Sequence, residues 1–167
     1  MSAVPGRFFR NVCLGAALWL AVSSAAPALA DAGRLAFVQD DGTLKIGTRI
    51  VRLYGIYIPP TERICRTFLQ PVRCAPRAAL ELDRKIHGLV FCDRVGGHRD
   101  GSVSAVCRVR TDDPTYGPRE DLAAFLLRQG WAVAVPGAPF AYHTFERIAR
   151  VHRRGIWGFQ ADSVRVP

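Results

Sequence analysis

The sequence predicts a small β-barrel carrying helices, an α+β domain. Three observations lead there. Short runs of alternating apolar and polar residues recur between Gly and Pro punctuation, one helical period falls between the third and fourth of them, and further helical periods close the chain.

The elements follow in order. Leu35 to Val38 is a short strand. Leu44-Lys45-Ile46 and Arg49 to Ile56 form a hairpin around Gly47-Thr48, with Ile50, Arg52 and Tyr54 alternating against Val51, Leu53 and Gly55. Pro59-Pro60 cannot donate to a ladder and ends it. Thr61 to Arg73 reads as a polar excursion. Pro76 suits a first helical turn, Ala78, Ala79, Leu82 and Ile86 keep a helical period from Arg77 to His87, and Gly88 stops it. Leu89 to Cys92 is a buried-type strand, Val95 to Gly101 a turn, and Val103 to Arg110 an alternating strand. Thr111 to Arg119 is a loop. Glu120 or Asp121 opens a helix through Gln129, with Leu122, Phe125 and Leu126 on one face and Gly130 at its end. Trp131 to Val135 is extended and Pro136 to Pro139 irregular. Thr144 is the expected N-cap of a last helix to Arg154, with Gly155 as its stop. On it Phe145, Ile148 and Val151 form an apolar stripe and Arg147, Arg150 and Arg154 a basic one. Ile156-Trp157-Gly158 is expected to fold back and bury Trp157.

Residues 1–30 have the form of a secretory signal: Arg7 and Arg10, an apolar run from Val12 to Val22, then Ala28-Leu29-Ala30. The run is short of the roughly 20 residues of a spanning helix. Residues 31–167 then form one domain, expected in the periplasm or outside the cell. The whole chain carries a formal charge of +9. Without Arg7 and Arg10, 21 basic residues face 14 acidic ones, an excess that favours polyanionic partners. Four cysteines remain, Cys65, Cys74, Cys92 and Cys107, an even number that reads as two disulfides in an oxidising compartment. Of three possible pairings, Cys65–Cys74 with Cys92–Cys107 is favoured. The first clips a local loop and the second joins neighbouring strands. A zinc site is the weaker alternative, because no Cys-x-x-Cys pair exists.

Val38 to Pro60 resembles the hallmark of the staphylococcal-nuclease (thermonuclease) family, which runs Asp-Gly-Asp-Thr, strand, turn, Val-Arg-Leu-x-Gly-Ile-Asp-x-Pro-Glu. Asp40, Thr43, Leu44, Val51, Arg52, Leu53, Gly55, Ile56 and Pro59 match it. Leu126 to Ala132 and Arg154 to Trp157 resemble the family's late segments. The resemblance implies a five-stranded OB-fold β-barrel with three helices over nearly all of residues 31–167. It also implies Ca²⁺-dependent phosphodiester hydrolysis. That chemistry asks for carboxylates on a hard cation, a carboxylate to direct water, and guanidinium donors for transition-state charge.

Carried over position by position, the first arginine is kept as Arg52. The first metal aspartate falls at Gly42, the second at Tyr57 and the glutamate at Pro60. With Cys107 as anchor, the second arginine falls at Ser102. The family's nucleotide-packing tyrosines fall near Pro136 to Ala138. None of these replacements is isofunctional, so the expectation is a domain that has lost catalysis and binds nucleic acid or another polyanion, with no cofactor, as a monomer. The enzyme alternative is a Ca²⁺-dependent nuclease with a rebuilt site. It would use Glu62 as the carboxylate, Asp40 or Asp41 at the metal and Arg99 in place of Ser102. A third reading is an interaction module of the cell envelope. Arg49, Tyr54 and Tyr57 join Arg52 as candidates for ligand contact, the tyrosines by stacking. Arg52 also has a structural reading, a strand arginine that pairs with a neighbouring carboxylate and fixes a loop. His87, His98, His143 and His152 show no metal-ligand spacing.

Overall fold

The structure, a computed structural model, describes residues 32–60, 64–66, 71–112 and 118–158, with side chains at all of these except 64–66 and 71–74. The signal-like residues 1–30 and Glu62 lie outside the described residues, and the pairing of Cys65 with Cys74 concerns side chains that do also.

A mixed sheet and three helices make an α+β fold. The strands are β1 (Phe37–Val38), β2 (Leu44–Ile46), β3 (Arg49–Leu53), β4 (Ile56–Tyr57), β5 (Ile64–Arg66), β6 (Pro71–Arg73), β7 (Val90–Gly97), β8 (Val103–Arg110), β9 (Arg119–Asp121) and β10 (Val133–Ala134). The helices are α1 (Cys74–Lys85), α2 (Leu122–Gln129) and α3 (Phe140–Val151), followed by a 3-10 turn at Gly155–Gly158. The main sheet runs β1-β2-β3-β8-β7, with β9 added on β8. Among the described residues only β3 and β8 are parallel neighbours, Val51 opposite Val103 and Leu53 opposite Ala105, and the sheet is not closed. Ahead of β1, a single antiparallel bridge joins Arg34 to Val90, each amide donating to the other's carbonyl at 2.8 Å.

The hairpin and β8 form as the alternation predicts. Val103, Ala105, Cys107 and Val109 are buried, and Val51 and Leu53 face them from β3. Helix α2 covers this layer with Leu122, Leu126 and Leu127, none of them exposed. Truncating any one to Ala would cost about 2–5 kcal/mol. Asp121 caps α2, its carboxylate accepting from the amides of Ala123 and Ala124. Gly130 ends the helix in the left-handed region, φ 76°, where a Cβ would stand 2.3 Å from the Arg154 carbonyl oxygen. Gly155, φ 52°, faces it, and the Ile156 amide donates to the Gly130 carbonyl at 2.9 Å. Cys92 and Cys107 are opposite one another on β7 and β8 and are disulfide-bonded, as expected. The loop-entropy account gives such a 15-residue separation about 3 kcal/mol.

Several elements differ from the expectation. The polar excursion holds an antiparallel pair, β5 with β6. The strand from Arg49 breaks at Tyr54-Gly55, and β4 turns away to pair with β10. Strand β7 runs through the glycine pair to Gly97, with a register shift between Arg94 and Gly96 that takes up the irregular turn signal.

Helix α3 starts at Phe140, after Pro139, so Thr144 is not its N-cap. The Thr144 hydroxyl instead donates back to the Phe140 carbonyl at 3.3 Å. Its inward face is Tyr142, Phe145, Glu146 and Ala149, while Ile148 and Val151 are exposed. The helix is rotated because Glu146 goes in. Its carboxylate accepts the Ala134 amide at 2.8 Å and pairs with Arg150. The basic stripe is partly committed too. Arg150 lies 3.9 Å over the Trp157 ring, and Arg154 donates to the Arg128 carbonyl at 3.3 Å. Trp157 is half-buried beneath that arginine.

Candidate functional site

Where β3 runs into the Tyr54-Gly55 turn and β4, it borders a groove of about 230 Å³. Asp41, Gly42 and Thr43 form one wall, Arg52 and Leu53 the floor, and Tyr57, Ile58 and Pro60 the other wall. The Gln39–Thr43 turn presents the first wall: the Gly42 amide donates to the Gln39 carbonyl at 2.8 Å, and Gly42 takes φ 80°. This groove therefore gathers Arg52 with Gly42, Tyr57 and Pro60, four of the positions singled out in the sequence.

The carboxylate in the groove is already engaged. Asp41 Oδ1 accepts the Thr43 amide at 2.9 Å and the Thr43 hydroxyl at 2.8 Å. Opposite Gly42 stands Ile58, whose Cδ1 lies 2.5 Å from where a Cβ would be built. One pinned carboxylate beside Gly, Tyr and Pro does not fit the six or more oxygen ligands of Ca²⁺. Among the described residues no three His, Cys, Asp or Glu side chains are grouped to hold a metal ion.

Arg52 leaves β3 on the face opposite Val51 and Leu53 and meets the β7–β8 turn. Its Nε donates to Ser102 Oγ at 3.0 Å and its Nη2 to Asp100 Oδ2 at 2.8 Å. Ser102 is buried, and it donates its hydroxyl (2.6 Å) and its amide (3.0 Å) to Asp100 Oδ1. The Ser102 hydroxyl and amide, with Arg52 beyond them, hold the Asp100 carboxyl down at about 2, against the opposing effect of desolvation. Arg52 remains about half exposed, at 49 %. Beside this group His98 Nε2 and Ser104 Oγ share a hydrogen bond of 2.8 Å.

The other candidates disperse. Arg49 is two short of Val51 on the same side of β3, so period two puts it on the face opposite Arg52, and it lines a different cavity. Tyr54 is half-buried in the turn after β3, its amide donating to the Ala105 carbonyl at 2.9 Å, and it does not border the groove. Arg99 is exposed at the tip of the His98–Gly101 turn, away from the groove. Asp40 is exposed on the Gln39–Thr43 turn and is not among the groove residues. Sequence reasoning missed Asp100, the carboxylate that takes up Arg52. Its signal was present in Asp100-Gly101-Ser102, an Asx-type turn at the mouth of β8.

Compared with known proteins, the chain matches no protein-family model and no curated protein.

Proposed function

We propose that residues 31–167 form a periplasmic or secreted domain of staphylococcal-nuclease type that has lost hydrolysis and binds a polyanion, DNA or RNA first among them, at the Arg52 groove. The observation that carries the loss of catalysis is the engagement of Arg52. In a hydrolytic site that guanidinium must be free to donate to a phosphoryl oxygen. Here Asp100 and Ser102 hold two of its nitrogens, and Ile58 fills the space beside Gly42. Removing single groups of this kind costs several powers of ten in rate, and here several are replaced together.

The closed five-stranded OB barrel belongs to the same proposal. Its support is the strand order β1-β2-β3-β8-β7 with a parallel β3–β8 contact, together with the Arg34–Val90 bridge that brings the lead-in to β1 against β7. An oxidising compartment is supported by the Cys92–Cys107 disulfide. Among the described residues no helix is long and apolar enough to cross a membrane. Polyanion binding is supported by the surplus of basic residues and by the exposed half of Arg52 beside Tyr57.

The test is hydrolysis of single-stranded DNA and RNA with and without Ca²⁺, alongside fluorescence anisotropy of the same oligonucleotides. The expected result is no turnover and binding that weakens steeply with salt. Turnover that needs Ca²⁺ would overturn the loss of catalysis and point to a site rebuilt around Asp41 and Glu62. Absence of binding at low salt would overturn the polyanion assignment.

A further inference from the structure

A second cavity, of about 160 Å³, lies along the first half of β3, at Arg49 and Val51, and shares no lining residue with the Arg52 groove. Its floor is apolar: Ile46, Val51, Val90, Val103 and Ala105, the inward residues of β2, β3, β7 and β8. Three arginines from three separate segments line it as well. Arg34 comes from the bridge to Val90, Arg49 from the start of β3 opposite Ile46, and Arg94 from β7 opposite Ala105. Among the described residues no carboxylate lines the cavity. None of the three arginines has an ion pair or side-chain hydrogen bond among the described residues. Gly97 leaves room for one of them, since a Cβ there would stand 3.0 Å from Arg94 Nη2.

Strand alternation makes this arrangement unusual. Positions 49 and 94 lie on the inward side of their strands, in line with Val51 and with Val90 and Cys92, where apolar residues otherwise stand. Three like charges around one apolar mouth repel each other in the empty protein. A ligand that neutralises them gains that repulsion back together with its hydrogen bonds.

We infer that this cavity binds a small phosphate monoester with an apolar stem, the phosphate at the three guanidinium groups and the stem on the Ile46–Val51–Val103 floor. The choice of anion follows from donor count. A carboxylate offers two oxygens, which one guanidinium can satisfy in a bidentate pair. Three guanidinium groups match the three terminal oxygens and the near-double charge of a phosphate monoester. Size sets the stem: about 160 Å³ accommodates one small ring, with the phosphate at the mouth among the exposed arginines.

The experiment is calorimetric titration of the purified protein with phenyl phosphate, inorganic phosphate and benzoate, with methyl NMR to locate the binding. Phenyl phosphate is expected to bind most tightly and to shift the methyl signals of Ile46, Val51 and Val103 rather than those of Thr43 and Ile58. The double variant Arg49→Gln/Arg94→Gln should weaken it by about tenfold or more, and Arg147→Gln, at an exposed arginine that lines neither cavity, should leave it unchanged. Arg49, Arg94 and Arg147 are all exposed, so both variants should fold, and unchanged circular dichroism confirms it. Failure of phenyl phosphate to bind, unchanged binding in the double variant, or equal binding of inorganic phosphate or benzoate would each overturn the inference. None of these outcomes bears on whether the Arg52 groove hydrolyses or binds nucleic acid.

Discussion

Ile58 places its Cδ1 2.5 Å from the point where a Cβ on Gly42 would stand. A side chain at this position, where the resembled family carries a metal aspartate, would have to displace that methyl group. Gly42 also holds φ 80°, a conformation that side chains disfavour. Gly42→Asp is therefore expected to lower stability by about 1–3 kcal/mol, through strain and displacement of Ile58, without creating Ca²⁺ affinity. Urea unfolding with calorimetric Ca²⁺ titration checks both. A stable variant that binds Ca²⁺ would show that the wall of the groove yields easily.

Asp100 should titrate at about pH 2 rather than near 3.8, read from its side-chain carbon shift. Because its folded value is depressed, its contribution to holding the β7–β8 turn is present above about pH 4 and is lost as the pH falls through 2. The Ser102 hydroxyl is the largest cause, so Ser102→Ala should raise the titration more than Arg52→Ala does. The reverse order would put the control of this carboxylate on the arginine.

The same carboxylate restrains Arg52 as a phosphate ligand. Asp100→Asn removes the charge while keeping the shape of the turn. Exposed ion pairs of this kind contribute little and are screened by salt. Binding of single-stranded DNA should therefore tighten by about two- to fivefold at low salt, with the gain disappearing at high salt. Anisotropy titrations at two ionic strengths decide it. Weaker binding in Asp100→Asn would mean that the pair pre-positions Arg52 rather than masking it.

Glu146 joins α3 to β10 through the Ala134 amide. Glu146→Ala leaves that buried amide without its acceptor and should cost about 1–3 kcal/mol. Arg150→Ala should cost less, since Arg150 is half exposed and can be replaced by water at the carboxylate. Thermal unfolding of the two variants ranks them. Equal losses would assign the stabilisation to the ion pair.

The sheet was legible where burial follows strict alternation. From Val103 to Val109 every second residue is buried, and the cysteine of that series finds its partner directly across on β7. Helix α3 was not legible in the same way. Hydrophobic period alone sends Ile148 and Val151 inward and Glu146 outward. Satisfaction of Glu146 by a backbone amide and Arg150 reverses that, and Pro139 sets the start that Thr144 seemed to offer. At the site, the replaced letters Gly42, Tyr57 and Pro60 were readable and do border one groove with Arg52. The separation of Arg49 from Arg52 was implicit in the three-residue spacing, which on a strand means opposite faces. What no local pattern could supply is the partnership of Arg52 with Asp100, because it joins positions 48 residues apart.

The backbone contact between Gly130 and Gly155 bears on the order of events at the ribosome. The carbonyl of Gly130 receives its hydrogen bond only from the Ile156 amide, 26 positions later. At roughly 5–20 residues per second, a nascent chain waits one to several seconds between exposing the end of α2 and supplying its partner. During that interval the inner surface of α2, with Leu122, Leu126 and Leu127, lacks the helix that packs beside it. The domain is thus finished late in its own synthesis, and a nascent chain that has not reached Gly155 presents an apolar helix to any chaperone nearby.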